Sequence, residues 1–261
     1  MLANELFLKL ALVAGQAAML FLLSRALFVW VLQALASRKP RRGGGWVLQL
    51  VRLPGNLVHE LSHAVAFLLA GYRIRRLVPC IFDRAGAGAC QPGPRWSPLA
   101  IPWLAVGLAA LAPLVSGALV LYAAARWLDI PLGATLSSEV PHRSILEGLY
   151  RGLGALDYGS WHTWLFLYLA FTIGAELAPS STDVRLGLPT LLALGVLTAA
   201  VLVATSQLPP TSPFRVTMLR ETTAGLAWLD RLFSFALVAT GVVTALTFLP
   251  AALLRTARGQ G

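Results

Sequence analysis

Three uncharged apolar windows constrain the fold of this chain more than any other feature of its sequence. They are Leu99 to Ala125, Leu186 to Gln207 and Leu232 to Leu254. Each is as long as the roughly 20 residues that an α-helix needs to cross a ~30 Å hydrocarbon core. Of the 261 residues, 57% are hydrophobic and 12% are charged, which favours a lipid over an aqueous environment. We therefore expect a single domain, residues 1–261, that is an all-α polytopic membrane protein.

Three further segments bring the prediction to about six transmembrane helices. The run from Leu6 to Leu35 contains Lys9 and Arg25, and its apolar part is longer than the core of a signal peptide, so we expect it in the mature protein. Arg25 either snorkels to the membrane surface or lies inside the bundle as a polar partner. The other two segments are Trp46 to Gly71 and the shorter Trp161 to Ala175.

Pro54 interrupts the second of these segments. A proline there is expected to kink or restart the helix, with Asn56 as the N-cap of the new helical section. After this section, the apolar run Leu77 to Phe82, a turn and a return strand of small residues predict a short β-hairpin within Arg75 to Gly93. An amphipathic helix on the membrane surface is expected within Asp129 to Gly159.

The net charge of +10 comes largely from basic residues that lie beside apolar segments, as in Ser37 to Arg42 and Tyr72 to Arg76. Clusters in that position favour anionic lipid headgroups over nucleic acid as their partner. The two cysteines, Cys80 and Cys90, flank the predicted hairpin. Two free thiols are the favoured interpretation, and a disulfide is the alternative in an oxidising compartment.

His59-Glu60-Leu61-Ser62-His63 matches the pattern H-E-x-x-H. On a helix, residues four apart lie one turn above each other, so both imidazoles can reach one tetrahedral zinc ion. The glutamate beside the first histidine then reaches a water molecule at the metal. Buried histidines paired with Glu60 are the alternative, but three polar groups at membrane depth are costly and usually functional.

Two histidines leave zinc without a third protein ligand. Asp183 is the preferred candidate and Glu176 the second, because both flank a helix break near membrane depth. If all six segments span, chain parity places Asp183 on the side of the membrane that the H-E-x-x-H helix reaches at its end. Asp183 could also serve as the N-cap of the next helix. His142 and His162 are expected at the surface or in an interfacial aromatic belt.

Together, the H-E-x-x-H motif, the hairpin, the span with Leu111 to Gly117 and the later ELAPSSTDV segment resemble the site-2 protease family of intramembrane zinc metalloproteases. The compact members without a PDZ domain are the most similar, and the resemblance covers Pro54 to Leu188. It implies that His59, His63 and Asp183 bind Zn²⁺ and that Glu60 is the general base. Val184 follows the aspartate where better-known members have glycine.

The expected activity is hydrolysis of peptide bonds in transmembrane or membrane-associated proteins by a zinc-activated water, with the lipid bilayer as the second partner. An unwound substrate segment could add to the edge of the hairpin as an extra strand, or the hairpin could simply pack over the site. We expect a multi-pass protein in the cell membrane of a prokaryote. The alternatives are a gluzincin-type metallopeptidase with Glu176 as third ligand and a non-catalytic metal-binding membrane protein.

Overall fold

The computed structural model describes most of the chain. The described residues are 2–36, 44–82, 88–96, 101–131, 147, 150–178, 180–209 and 211–258. His142 and the first half of the predicted amphipathic helix lie outside them, whereas residues 150–155 of that region are helical.

The chain is mostly helical, with one two-stranded antiparallel sheet. The elements in chain order are α1 Leu2–Ala36, α2 Gly44–Leu69, β1 Tyr72–Val78, a 3₁₀ turn Cys80–Phe82, β2 Ala89–Arg95, α3 Pro102–Trp127, α4 Trp161–Glu176, α5 Ser181–Ser206 and α6 Pro213–Arg258.

Four helices in the described part of the chain are long and apolar enough to cross a membrane. The apolar stretches are Leu6–Trp30, Pro102–Trp127, Ser181–Ser206 and Pro213–Phe248. They overlap all three uncharged apolar windows and the N-terminal run. Four of the expected six helices therefore have the length and composition of a membrane span, which supports a membrane protein.

α2 is continuous through Pro54, so the expected restart of the helix at this point is wrong. Asn56 lies inside α2, and its side-chain oxygen accepts a hydrogen bond from the backbone N–H of Cys80 at 2.8 Å instead of capping the helix. Gly55 of α2 faces α4 at a point where a larger residue would not fit. A Cβ there would overlap the carbonyl group of Thr172, because α2 and α4 pack with their backbones nearly in contact.

The helices pack so that α2, α4 and α5 run in one direction and α3 in the other. Along α2 and α4, Val51 bonds to Tyr168, Gly55 abuts Thr172 and His59 bonds to Glu176. Along α3 and α5, Gly107 abuts Thr190 and Leu111 abuts Gly187. The chain therefore runs in the same direction in α4 and in α5. The break between these two helices interrupts a single course of the chain alongside α3.

The hairpin is confirmed, but it lies partly outside the expected bounds. β1 begins at Tyr72, and its pairs run from Tyr72 with Arg95 to Val78 with Ala89. Cys80–Phe82, which the sequence placed in the first strand, form the 3₁₀ turn. Pro79 ends the strand because it has no backbone N–H to donate.

α6 begins at Pro213, well before the apolar window that predicted it, because proline is well suited to the first turn of a helix. It packs along α1, where Gln16 bonds to Ser234 and the ring of Trp30 meets that of Phe248. The main apolar core lies among α1, α3, α4 and α6 and includes Leu20, Leu121 and Phe166. The polar cavity described next lies where α2 faces the break between α4 and α5.

Candidate metal centre

α2 presents His59 and His63 on one face, as the four-residue spacing predicts. Both side chains are buried. Their Nε2 atoms point at each other and are 3.1 Å apart, with ring centroids separated by 4.8 Å. The two imidazoles thus meet at one point beside the helix.

Backbone carbonyl oxygens hold the other ring nitrogen of each histidine. Nδ1 of His59 lies 2.7 Å from the carbonyl oxygen of Glu176, and Nδ1 of His63 lies 2.8 Å from that of Ala109. A carbonyl oxygen only accepts, so each Nδ1 donates, and in the neutral rings each Nε2 carries a lone pair. Two such lone pairs at 3.1 Å repel each other unless a proton or a metal ion lies between them. The hydrogen bonds from each Nδ1 to a backbone carbonyl are the outer support that metal-binding histidines have in proteins.

Asp183 completes the group from the first turn of α5. Its carboxylate oxygens lie 3.7 Å from Nε2 of His59 and 3.5 Å from Nε2 of His63. Ser180 is the N-cap, and its side chain accepts from the N–H of Asp183. In return, the N–H of Ser180 donates to Oδ2 of Asp183 at 2.8 Å. The suggestion that Asp183 is itself the N-cap is therefore wrong: it is the third helical residue of a capping box, which fixes its carboxylate toward the histidines.

The three side chains fit a divalent metal ion. Their ligand atoms all lie within 4.8 Å of one another. Ligands about 2.0–2.1 Å from a tetrahedral zinc ion are about 3.3 Å apart, and the Nε2 atoms of the two histidines are 3.1 Å apart. Oδ1 of Asp183 lies 3.5 Å from Nε2 of His63 and Oδ2 lies 3.7 Å from Nε2 of His59, so the carboxylate faces both histidines and the three residues can share one ion.

Glu60 belongs to the same cavity. Its side chain is buried and lines a space of about 700 Å³ together with the three candidate ligands. The lining also includes Gly88 and the start of β2, up to Pro92. The hairpin and the break before α5 thus line one cavity. The chain-parity prediction that placed them on one side of the membrane required α4 and α5 to run in opposite directions, whereas they run in the same direction.

Glu176 does not join the group with its carboxylate. Oε1 accepts a hydrogen bond from Nε of Arg52 at 2.7 Å, and both side chains are about one-tenth exposed. What Glu176 gives to the site is its backbone carbonyl, which holds His59. His162 is exposed and its ring lies against that of Trp161, as expected for an interfacial residue.

Several residues that shape the centre were not identified from the sequence. The carbonyl groups of Glu176 and Ala109 could not have been identified, since every residue type has a backbone carbonyl. Arg52 could have been identified, because an arginine inside an apolar run is costly unless it is paired. Ser180 could have been read as a cap from its spacing to Asp183.

The two cysteines are not joined to each other. Cys80 is buried, and Cys90 lies in β2 opposite Leu77 and lines the cavity. Burial, and after it the nearby Glu60 carboxylate, raises the pKa of the Cys90 thiol to about 11. At neutral pH this thiol is therefore protonated and a poor metal ligand.

Comparison of the chain with models of protein families, with curated proteins and with solved structures gives no match.

Proposed function

We propose that this protein is an intramembrane zinc metalloprotease that hydrolyses peptide bonds of membrane-protein substrates. The observation that supports it best is the convergence of His59, His63 and Asp183 at one buried point, with the Glu60 carboxylate in the same cavity. The H-E-x-x-H motif and its setting resemble those of the site-2 protease family. In this proposal Glu60 is the general base, which its position in the lining of the cavity supports.

Zinc is the metal that suits the donor set. Two imidazole nitrogens and one carboxylate oxygen are a common three-ligand set of catalytic zinc sites, which keep a fourth position open. When bound, zinc would supply Lewis acidity that polarises the scissile carbonyl and acidifies a water molecule. His59, His63 and Asp183 would hold the ion, and their outer hydrogen bonds would keep the ligand atoms in place.

Proton transfer is the task of Glu60. A carboxylate that lines the cavity beside the ligands can take a proton from the attacking water and then give it to the leaving amine of the substrate. Both transfers use the same side chain, so the reaction needs no second acid. Removing such a base typically slows a reaction by about 10²–10⁴-fold.

The substrate would reach the centre as an unwound segment along β2. Ala89, Cys90 and Gln91 have backbone N–H groups and line the cavity, whereas Pro92 and Pro94 have none to donate. An added strand can therefore pair only over this short stretch. Proline is substituted in turn at each of these three positions. Where the N–H of that residue points away from β1, the substitution should lower the cleavage rate and leave the zinc content unchanged.

The proposed setting is a bundle in which all six helices lie at membrane depth. α2 packs along α3, one of the four spans, and α4 leads directly into α5, another of the four. The break between α4 and α5 then lies inside the bundle, where irregular backbone is tolerated because it lines a polar cavity. The cell membrane of a prokaryote is the expected location.

The test is to purify the protein in detergent, measure zinc per chain and compare variants on a panel of transmembrane peptides. Glu60→Gln should retain zinc and lose cleavage by about 10²–10⁴-fold. Glu221→Gln changes an exposed glutamate that pairs with Arg220, and serves as the matched control with unchanged cleavage. Bound zinc without cleavage of any peptide by the wild type would favour the non-catalytic metal-binding alternative.

A further inference from the structure

Arg25 is a cation on the wall of the candidate centre that the proposed chemistry does not use. It lines the cavity from α1, together with Phe28 three residues further on. The neighbouring Ser24 is anchored at the break between α4 and α5. Its hydroxyl accepts from the N–H of Ala178 at 2.7 Å and donates to the carbonyl of Ala175 at 3.3 Å. Arg25 is therefore held next to the break that carries Asp183.

The two arginines of the cavity differ in what surrounds them. Arg52 forms a 2.7 Å ion pair with Glu176, and its guanidinium group lies over the ring of Phe28 at 4.9 Å. Arg25 is exposed and forms no ion pair with any residue in the described part of the chain. Arg52 is thus already neutralised, and Arg25 is not.

The formal charges around the cavity also indicate that Arg25 lacks a counter-charge among the described residues. Three carboxylates line it, those of Glu60, Glu176 and Asp183. With a divalent ion bound, two arginines and the ion carry four positive charges against these three, which leaves one positive charge in excess. At membrane depth an uncompensated charge is costly, and such residues usually face a polar path or a ligand.

We propose that Arg25 binds a carboxylate of the substrate, so that the centre prefers peptides with an anionic group near the cleaved bond. This inference rests on the proposed function. A guanidinium group recognises a carboxylate through two parallel N–H···O bonds, and these are stronger than bonds between neutral groups. The carboxylate belongs either to an Asp or Glu side chain or to the C-terminus of the substrate, because the two present the same chemistry.

Matched peptides separate these two sources. One pair differs only in Glu or Gln at a position near the cleaved bond, and a second pair differs only in a free or an amidated C-terminus. The wild type should cleave the acidic member of one pair about tenfold or more faster in kcat/KM. Arg25→Gln should remove that preference, so that kcat/KM for the acidic member falls to the value for the neutral member. Arg126→Gln, an exposed arginine outside the cavity, should preserve the preference.

A binding measurement makes the inference independent of cleavage. The zinc-loaded Glu60→Gln protein should bind the acidic member of the pair about tenfold more tightly than the neutral one, and adding Arg25→Gln should abolish the difference. If acidic and neutral peptides bind and are cleaved equally, or if the preference survives Arg25→Gln, the inference is wrong and the proposed protease activity stands. If no peptide is cleaved but Arg25-dependent binding of the acidic peptide is found, the protease proposal fails and Arg25 remains a carboxylate site.

Discussion

Two buried polar clusters lie in this helical bundle, and their hydrogen bonds differ in kind. In the candidate metal centre, His59, His63 and Asp183 each have an outer partner, and their remaining acceptor atoms converge on one point. In the second cluster, between α1 and α6, Gln16 donates to Asp230 at 2.6 Å and to Ser234 at 2.9 Å. There the amide N–H groups of Gln16 are satisfied by neighbouring side chains, and the polar atoms do not converge on one point as the ligand atoms of the metal centre do.

The difference also appears in the atoms that have no partner. Among the described residues, the buried side-chain atoms without a hydrogen bond are Oε1 of Gln16, which lies between α1 and α6, and Oγ1 of Thr240, where α6 faces Gly174 of α4. No ligand atom of the metal centre is among them. Polar residues between membrane helices commonly hold the helices together, with only partial hydrogen bonding. Burial of polar groups alone therefore does not identify a site, whereas convergence of acceptor atoms does.

The largest expected effect tests the comparison directly with one aspartate from each cluster. Asp183→Ala should weaken zinc binding by more than the roughly 10–100-fold that loss of an outer partner costs, because it removes a ligand. Asp230→Ala should leave one zinc per chain. Zinc content after dialysis against a chelator measures both. Equal zinc loss in the two variants would mean that convergence of acceptors does not define the site.

The second prediction concerns the outer support of the centre. Arg52→Met leaves the buried Glu176 carboxylate without its partner, which should lower the free energy of unfolding by about 3–5 kcal/mol. Arg52→Met combined with Glu176→Gln removes both charges and should recover much of that loss. Both variants keep the carbonyl of residue 176 that holds His59. Denaturation in detergent, followed by helical circular dichroism, gives the stabilities, and a double variant no more stable than Arg52→Met would contradict the prediction.

The third prediction concerns Gly88, which packs directly against the proposed general base. It has a positive φ of 79°, and a Cβ there would lie 2.9 Å from Oε1 of Glu60 and 2.7 Å from the amide nitrogen of Asn56. Gly88→Ala must displace one of these side chains, so kcat should fall by about 10-fold or more, since misplacement by about 1 Å can cost 100-fold. Zinc content should not change.

Gly93→Ala is the matched control for that prediction. Gly93 lies in β2, which begins one residue after Gly88, and a Cβ there would approach the carbonyl of Arg73 no closer than 3.3 Å. The strand can adjust by a few tenths of an ångström, so cleavage should stay near the wild-type rate. A similar loss of kcat in both variants would indicate that any change in β2 impairs the site.

The sequence predicted the helices and the two histidines well because both follow from short-range rules. Apolar length identified the spans, and a four-residue spacing on a helix placed His59 and His63 together. The predictions that failed depended on packing between segments. Pro54 was expected to kink or restart α2, and the restart is wrong because one lost backbone hydrogen bond is tolerated in a helix held along its length by α3 and α4.

Asp183 illustrates the limit of prediction from sequence. The sequence identified it as one of few charged residues near a helix break, yet its approach to the histidines depends on α4 and α5 continuing in one direction along α3. The capping box with Ser180 then fixes the carboxylate. Neither the direction of α5 nor the carbonyl partners of the histidines can be inferred from residue types, because both arise from contacts between distant segments.

The smallest expected effect concerns Thr240, one of the two buried residues in the described part of the chain with an unpaired side-chain atom. Thr240 is fully buried in α6, and its hydroxyl has no hydrogen-bond partner within the described chain. Thr240→Val keeps the shape of the side chain and removes the unpaired group, so the free energy of unfolding should stay the same or rise by about 1 kcal/mol. Zinc content and cleavage should not change. Denaturation in detergent measures the first and the peptide assay the second. A loss of zinc in this variant would show that the packing of α6 against α4 at Gly174 is coupled to the metal centre, and burial of an unpaired polar atom outside the centre would then not be neutral for zinc binding.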